Sequence, residues 1–575
     1  MGAVKVEGIK YMGRTVAIGI QSFEEMIKGN YFYIDKTSFI KEWWESGDST
    51  TLITRPRRFG KTLNMSMLEQ FFSIMYSNRS ELFEGLSIWE DETYRELQGT
   101  YPVISLSFAR VKECDYATTK EKICEVIRDV FIKYEFLKDS DVLSEADKVF
   151  FDEVMCWDMK DSVATSAIHK LSNFLYRYYG KKVIILLDEY DTPMQEAYVN
   201  DFWEELVAFT RSMLNSTFKT NPYLARAVMT GITKISKESI FSDLNNLEIV
   251  TTSSDKYATA FGFTEEEVFE ALEEYGLDNE KEKVKYWYDG FNFGKYSDIY
   301  NPWSMLNFID KGKYGTYWAN TSSNRLVGKL IREGDEELKQ CFGDLLEGKC
   351  VECSLDEQIV YNQLDNGNKA IWSLLVASGY LKIVSYEDGD EAANGEEPIY
   401  ELAITNYEVQ LMFRSMVRGW FEKAEGPYNY FIKAMLLGDI KAMNTYMNRL
   451  TLQIFSYFDT GKNAWGVEPE RFYHGFMLGL LVELNNRYII TSNRESGFGR
   501  YDVMLEPRKD EDPAFILEFK VHDPDEERSL EETVQMALAQ IEEKQYEVAL
   551  ITKGINAGRI RKYGFVFEGK KVLIG

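Results

Sequence analysis

The chain has 575 residues and a formal net charge of −27, with 45% apolar and 28% charged residues. One hydrophobic core rarely serves so long a chain, so we expect several domains, and the apolar content excludes a largely disordered protein. No run approaches the roughly 18 apolar residues of a membrane span, and no secretory signal opens the sequence. We therefore predict a cytoplasmic protein with no membrane partner.

The negative charge is unevenly distributed along the chain. Residues 431–575 contain 19 Lys and Arg against 22 Asp and Glu, a net charge of −3, which leaves −24 on residues 1–430. Because acidic surfaces repel nucleic acid at long range, the C-terminal segment is where a phosphate backbone is most easily tolerated.

Residues 1–260 alternate short apolar runs with longer helical patterns. The runs are TLIT (51–54), VISLSF (103–108), KVIILLD (182–188) and ARAVMT (225–230). Nearly continuous apolar strands between helices are typical of a parallel sheet covered on both faces. This pattern predicts an α/β domain.

Residues 261–430 change character. FTEEEVFEALEEYG (263–276) has a threonine followed by glutamates, the signature of a capped helix start. After further helices, GYLKIVSY (379–386) and IYELAIT (399–405) flank an acidic turn, which indicates a β-hairpin after a helix. We predict a helical lid with a winged-helix-like unit, whose acidic turn is a solvated loop rather than a DNA-reading wing.

Residues 431–575 form a third block. A helix over 470–486 precedes three strand candidates, RYIITS, GRYDVMLE and AFILEFKV. An amphipathic helix over 529–545 and a last strand, YEVALIT (546–552), complete the order α-β-β-β-α-β.

The first strand runs directly into RPRRFGKT, which indicates a phosphate-binding loop. Gly60, Lys61 and Thr62 complete the end of the P-loop pattern in the required strand-loop-helix context. We predict that this loop, including Arg58 and Phe59, binds nucleotide. Arg55 stands where the pattern has its first glycine, so we expect a modified path, with Arg55, Arg57 or Arg58 adding charge near the phosphates.

An acidic strand end supports the loop assignment. Asp188 and Glu189 follow a fully apolar strand, where Asp188 with Thr62 can hold Mg²⁺ and Glu189 can deprotonate the attacking water. Thr230, at the end of another strand, is a candidate sensor of the γ-phosphate. The alternative is an ordinary strand that ends in an acidic turn.

A second acidic centre lies near the C-terminus. Asp502 falls within one strand candidate, and Glu518 and Lys520 fall on one face of the next. If the two strands pair as an antiparallel hairpin, Asp502 can approach Glu518, and two close carboxylates favour Mg²⁺. The alternative is a structural Glu–Lys pair at a sheet edge.

These motifs give the sequence a family resemblance. It resembles bacterial proteins that join an N-terminal AAA-ATPase-like domain to a C-terminal PD-(D/E)XK nuclease-like domain. The similar stretches include LITRPRRFGKTLNMSML (52–68), LLDEYDTP (186–193), WYDGFNFG (287–294), YNPWS (300–304), SNRESGFGRYDVML (492–505) and ILEFKV (516–521).

The resemblance implies that the Arg-Pro-Arg-Arg loop is a family trait. It also implies Asp502, Glu518 and Lys520 as a metal-dependent nuclease centre, with Tyr501 in place of the proline that names the motif. Nuclease relatives often carry a Gln-x-x-x-Tyr pair on the next helix. Here Gln540 and Tyr546 are six apart, which leaves that role open.

We therefore predict an ATPase, with ATP and Mg²⁺ as cofactors, whose nucleotide state controls a nuclease-like domain in defence or DNA processing. DNA or RNA is the expected partner of the C-terminal domain. The alternative is a non-catalytic ATP-dependent switch that binds protein or nucleic acid without cutting it. P-loop ATPases often act with a neighbouring subunit, but the sequence leaves the oligomeric state open.

Overall fold

The computed structural model describes residues 13–575, apart from 220, 234–239, 242–243, 319–324, 334–335, 347, 356–367, 388–397, 423–424, 455–469, 482–483, 485–486, 497–498, 510 and 525–526. The chain divides into two compact units. The first contains residues up to Ser323 together with Cys353–Glu408, and the second contains Asn324–Glu352 and Val409–Gly575. The three-domain division at residues 260 and 430 stays a prediction.

The first unit is built on a five-stranded parallel sheet in the order β2-β3-β4-β1-β5. Its strands are β1 (Thr50–Thr54), β2 (Val103–Ser107), β3 (Val183–Asp188), β4 (Leu224–Gly231) and β5 (Leu247–Val250). Every residue of β3 and β1 is buried, as expected for central strands covered on both faces. The predicted α/β class is confirmed.

The helices around this sheet are α1 (Phe23–Lys28), α2 (Ser38–Ser46), α3 (Lys61–Phe72), α4 (Glu92–Leu97), α5 (Tyr116–Lys133), α6 (Glu145–Met155), α7 (Asp161–Tyr179), α8 (Thr192–Val199) and α9 (Trp203–Leu214). Helix α3 begins directly after the loop that follows β1, and α8 begins shortly after the end of β3. This connectivity places the predicted loop and the acidic strand end at the carboxyl edge of the same sheet, where ligands of such sheets bind.

A smaller sheet of order β6-β8-β7 follows in the first unit. It consists of β6 (Phe263–Thr264), β7 (Phe291–Phe293) and β8 (Tyr296–Tyr300), with α10 (Glu265–Glu274), α11 (Lys281–Tyr288) and α12 (Pro302–Lys311) beside it. The predicted helix start at Thr264 is confirmed. Its hydroxyl accepts from the Glu267 amide and the Glu267 carboxylate accepts from the Thr264 amide, which forms a capping box.

A further three-stranded sheet has the order β10-β11-β9. Helix α15 (Asn368–Ala377) precedes the antiparallel hairpin of β10 (Leu381–Glu387) and β11 (Ile399–Ile404), and β9 (Val351–Ser354) completes the sheet. The predicted hairpin after a helix is present. The acidic turn between its strands lies outside the described residues, and the winged-helix assignment stays a prediction.

The second unit contains α13 (Arg325–Glu333), α14 (Glu336–Leu346), α17 (Glu425–Leu437), α18 (Ile440–Ile454), α19 (Glu470–Leu481), α20 (Leu530–Glu543) and α21 (Val548–Thr552). Helix α16 (Tyr407–Glu422) begins in the first unit and continues into the second. The mixed sheet runs in order through β12 (Tyr488–Ser496), β13 (Gly499–Pro507), β14 (Ala514–Val521), β15 (Ile560–Glu568) and β16 (Lys571–Ile574). Only β14 and β15 are parallel within this sheet.

The order α-β-β-β-α-β is confirmed, but the segment predicted as its last strand was wrong. YEVALIT forms the short helix α21, and the strand beside β14 is β15. A four-residue apolar run fits either a strand or a buried helical turn, and periodicity alone does not separate them. Within α21 only Leu550 is buried, which one helical face satisfies.

None of the described helices combines the length and the apolar character that crossing a membrane requires.

Candidate nucleotide site and candidate nuclease centre

The loop between β1 and α3 has the backbone that a phosphate-binding turn needs. Arg58 and Gly60 both adopt positive φ, of 66° and 80°. Gly60 is also the N-cap of α3, and it has no side chain to occupy the first amides of that helix. Uncapped first-turn amides and the helix dipole together favour an anion at this position.

Lys61 folds back over this loop. Its ammonium donates to the main-chain carbonyls of Arg55 and Pro56, at 2.8 Å each, and the residue is only 5% exposed. Burial lowers the pKa of Lys61, whereas the carboxylates of Glu189, Asp191 and Asp188 act in the opposite direction. A buried cation in an acidic setting is suited to receive phosphate charge.

Two hydroxyls meet on the carboxylate of Asp188. Thr62 donates to Oδ2 at 2.7 Å, and Thr230 donates to Oδ1 at 2.5 Å. The residues come from α3, β3 and β4, so the parallel sheet brings together side chains from distant parts of the chain. Burial raises the pKa of Asp188, and a divalent cation beside it would favour the ionised form.

Glu189 lies at the turn after β3 in a left-handed conformation, with φ of 51°. Its carboxylate accepts from the Thr192 hydroxyl at 3.1 Å, and its amide lies 3.4 Å from Oγ1 of Thr230. A non-glycine residue held at positive φ is uncommon and often marks a functional position. Here the turn places Glu189 in the wall of a cavity.

The cavity has a volume of about 410 Å³, within the range of small-molecule sites. The predicted loop residues Arg58 to Thr62 and Glu189 are part of its lining. Apolar residues also line it: Ile20, Phe32, Ile34, Phe263, Trp303 and Leu306. The guanidinium of Arg58 lies 4.2 Å from the centre of the Trp303 ring. The lining thus combines the candidate phosphate-binding groups with a set of apolar side chains.

The structure distinguishes among the three arginines that the sequence offered as sources of charge near the phosphates. Arg57 and Arg58 line the cavity, but Arg55 does not. Its guanidinium is fully buried and donates to carbonyls of its own strand and of a later loop: Thr54, Thr251, Lys256 and Tyr257. Burial lowers the pKa of Arg55 to about 9. Arg55 therefore anchors the loop rather than adding charge to the cavity.

The second acidic centre is assembled on β13 and β14. The antiparallel register pairs Val503 with Leu517, so Asp502 and Glu518 are the next facing positions. The Asp502 carboxylate accepts from the Phe519 amide at 2.7 Å, and Glu518 is only 2% exposed. Lys520 lies two residues after Glu518 and therefore on the same face of β14.

Gln540 and Tyr546 join this centre. The amide of Gln540 donates to the Glu518 carboxylate and to the Tyr546 hydroxyl, the latter at 3.2 Å. Burial raises the pKa of Tyr546, with smaller contributions from the carboxylates of Glu518 and Asp502. Residues six apart, such as Gln540 and Tyr546, do not lie on one face of a helix. Here, however, α20 ends at Glu543, and Gln545 adopts a left-handed conformation that changes the direction of the chain. The two side chains therefore meet.

His474 is a neighbour that the sequence reasoning missed. Its Nε2 lies 3.0 Å from the main-chain carbonyl of Asp502, and its ring packs near that of Phe519 at 5.7 Å. It lies on α19, far from the strands in sequence, and no spacing rule connects it to them. His474 supports the backbone of the strand that carries Asp502.

A parallel sheet whose first strand enters a Gly-Lys-Thr loop beside an Asp-Glu strand end is the arrangement of P-loop NTPases. Residues 17–241 match the model of a predicted AAA-ATPase family, and residues 468–575 match the PD-(D/E)XK nuclease superfamily. The family resemblance is therefore confirmed: the chain joins an AAA-ATPase-like part to a PD-(D/E)XK nuclease-like part.

The chain is also similar to a protein of Azotobacter chroococcum mcd 1, described as an uncharacterized protein in the vnfD 5' region. The two are 27% identical over 401 residues, which cover 69% of this chain and 68% of the relative.

Proposed function

We propose that this protein binds and hydrolyses ATP with Mg²⁺, and that its nucleotide state controls a Mg²⁺-dependent nuclease-like domain in defence or DNA processing. The observation that carries the proposal is the convergence of the buried Lys61 ammonium with the carboxylate of Asp188, which accepts from Thr62 and Thr230, beside a cavity that Lys61, Thr62 and Glu189 line.

In this proposal each group of the loop and of the acidic strand end has one task. Lys61 and the loop amides bind the phosphates, and Thr62 and Asp188 hold Mg²⁺, which neutralises charge on the phosphate oxygens. Glu189 accepts the proton of the attacking water, and Thr230 senses the terminal phosphate. The apolar side chains in the cavity lining support a nucleotide, rather than bare polyphosphate, as the ligand.

At the C-terminal centre, Asp502 and Glu518 hold the metal ion and Lys520 positions the water or the phosphodiester. The hydrogen bond from Gln540 keeps the Glu518 carboxylate in place. The second candidate function is an ATP-dependent switch without nuclease activity, which the net charge of −27 favours because it disfavours approach to nucleic acid.

Lys61→Ala tests the ATPase assignment. ATP turnover should fall by at least about 100-fold, because the substitution removes the buried cation that meets the phosphates. Lys28→Ala is the matched control, since the exposed Lys28 pairs with Glu24 and does not line the cavity, and its removal should leave turnover within about twofold. Equal turnover in Lys61→Ala and the control would refute the assignment.

Glu518→Ala and Lys520→Ala test the nuclease centre on single- and double-stranded DNA and on RNA, with Mg²⁺ and with ATP present or absent. Both variants should lose cleavage, whereas Glu506→Ala should retain it, because Glu506 pairs with Lys553 outside the centre. Cleavage that survives in Glu518→Ala contradicts the assignment. No cleavage by the unaltered protein under any condition favours the switch.

A further inference from the structure

The phosphate-binding loop is held by two hydrogen bonds to one of its main-chain carbonyls. The main-chain oxygen of Arg57 accepts from the Trp318 indole at 2.9 Å and from the Asn301 side chain at 3.3 Å. Asn301 is also the N-cap of α12, where its oxygen accepts from the amides of Trp303 and Ser304. The loop position is therefore tied to elements outside the parallel sheet.

Neighbouring rings fix the loop and the indole in place. Phe59 packs edge-on against Phe291 and Phe293, with ring centres 4.8 and 5.4 Å apart. Trp318 is 1% exposed and lies 5.4 Å from Phe291 and 5.5 Å from Tyr380. In such close packing, a shift of the loop carbonyl is passed to the Trp318 ring rather than absorbed by a void.

Trp318 is also hydrogen-bonded to a buried carboxylate, that of Glu408. The Trp318 amide donates to Oε1 of Glu408 at 2.6 Å, and the Ser304 hydroxyl donates to Oε2 at 2.7 Å. Glu408 is 1% exposed. A buried carboxylate is costly to leave without its donors, so Glu408 follows the positions of Trp318 and Ser304.

Glu408 lies in helix α16, at the point where the first unit ends. It is the second residue of α16 and the last residue of the first unit, and Val409 begins the second unit within the same helix. A chain of contacts therefore runs from the loop carbonyl of Arg57 through Trp318 to Glu408, and the helix backbone continues from there.

We propose that Trp318 and Glu408 are positioning residues that couple the phosphate-binding loop to α16, so that nucleotide on the loop regulates the second unit through this helix. The inference rests on the proposed binding of ATP at the loop. Coupling of this kind is reciprocal: whatever ligand the second unit binds also changes the affinity of the loop for nucleotide, by the same factor.

The test measures hydrogen exchange of the 407–422 segment in the full chain, with and without a non-hydrolysable ATP analogue and Mg²⁺. Trp318→Phe keeps the ring packing but removes the indole donor to Arg57. Trp43→Phe is the matched control, because the buried Trp43 indole nitrogen has no acceptor among the described residues. The analogue should slow exchange in the unaltered protein and in Trp43→Phe. In Trp318→Phe at saturating analogue, the factor by which the analogue slows exchange should be about fivefold smaller, which is the size expected for the loss of one hydrogen bond.

Glu408→Gln and Glu408→Ala test the second link. Glutamine offers an oxygen to the Trp318 amide and an N–H to the Ser304 hydroxyl, so it should preserve the response, whereas alanine should abolish it. If Trp318→Phe responds as strongly as Trp43→Phe, the coupling is overturned while ATP binding stands. If the unaltered protein and Lys61→Ala both fail to bind the analogue, the proposed function falls and the coupling falls with it.

Discussion

At the scale of single residues, Arg55 shows how a phosphate-binding loop can form although the first glycine of the P-loop pattern is replaced. The amide of Arg55 donates to the Gly231 carbonyl at 3.1 Å, which continues the pairing of β1 with β4. The side chain turns away from the cavity and lies 4.6 Å from the centre of the Phe293 ring. A guanidinium has five N–H donors and so suits a buried cluster of carbonyls.

Arg55→Ala should therefore lower the free energy of unfolding by about 3 kcal/mol, because several buried carbonyls lose a charged donor. Urea unfolding measures the change. Arg58→Ala is the comparison, because Arg58 is exposed and its main contact is with Trp303; it should cost less than about 1 kcal/mol. Similar losses in the two variants would contradict the anchoring role of Arg55.

A second residue-scale feature is the carboxylate cluster of Glu265, Asp289 and Asp298, whose oxygens lie within 4.8 Å of one another. Lys285 already supplies a cation there, with Nζ 2.5 Å from Glu265 and 3.4 Å from Asp298. Burial, reinforced by Asp298, raises the pKa of Asp289 to about 7.

This shift predicts a pH dependence of stability. Because the folded pKa of Asp289 lies above its unfolded value of 3.8, its contribution is fully present below about pH 4 and is lost as the pH rises through 7. Asp289→Asn removes the titrating group. Relative to the unaltered protein, its free energy of unfolding should therefore rise between about pH 4 and about pH 8. Urea titrations across this range measure the difference, and a difference that does not change with pH would contradict it.

At the scale of elements, the sequence predicted best where a local pattern has one physical meaning. The apolar runs of β1 to β4 and the start of α10 follow from burial and capping alone. The four-residue apolar run in YEVALIT fitted two structures, and only the pairing of β14 with β15 decides between them. The loop, the acidic strand end and Thr230 were predicted to act together because they match the pattern of a P-loop ATPase, and the parallel sheet brings Thr62, Asp188 and Thr230 into contact. The contacts of Arg55, Gln540 and His474 depend on tertiary packing, which spacing does not encode.

The cap of α10 gives a prediction at this scale. Thr264→Ala removes the hydroxyl that accepts from the Glu267 amide, so the free energy of unfolding should fall by about 1 kcal/mol. Thr165→Ala is the control, because Thr165 lies inside α7, where alanine is the better helix former. Thermal or urea unfolding compares the two. A cap variant as stable as the control would show that Glu267, which also pairs with Lys36 at 2.6 Å, holds the helix start alone.

At the scale of the whole molecule, the net negative charge disfavours the nucleic-acid substrate that a nuclease-like domain would bind. The net charge is −27, yet residues 468–575 match the PD-(D/E)XK nuclease superfamily, whose proposed substrate here is itself negatively charged. For a nucleic-acid substrate, repulsion from residues 1–430 slows the encounter, and added salt screens that repulsion.

We therefore expect the rate of DNA or RNA cleavage at limiting substrate to rise as monovalent salt increases from about 0.01 M to about 0.1 M, where the screening length falls from about 30 Å to about 10 Å. Initial rates at constant Mg²⁺ measure this. A basic binding surface would give the opposite result, a steep loss of activity over the same range.

The division of the chain into two discontinuous units also restricts which fragments can contain a whole unit. The second unit takes residues from both sides of 353–408, and within it Phe342 of α14 stacks edge-on against Phe413 of α16, 4.9 Å between ring centres. No single cut frees one unit intact, and a fragment starting at residue 431 leaves behind helix α14, against which its own helix α19 packs. The same discontinuity applies to the exchange of gene segments: a recombination event with one breakpoint cannot transfer either unit whole without part of the other.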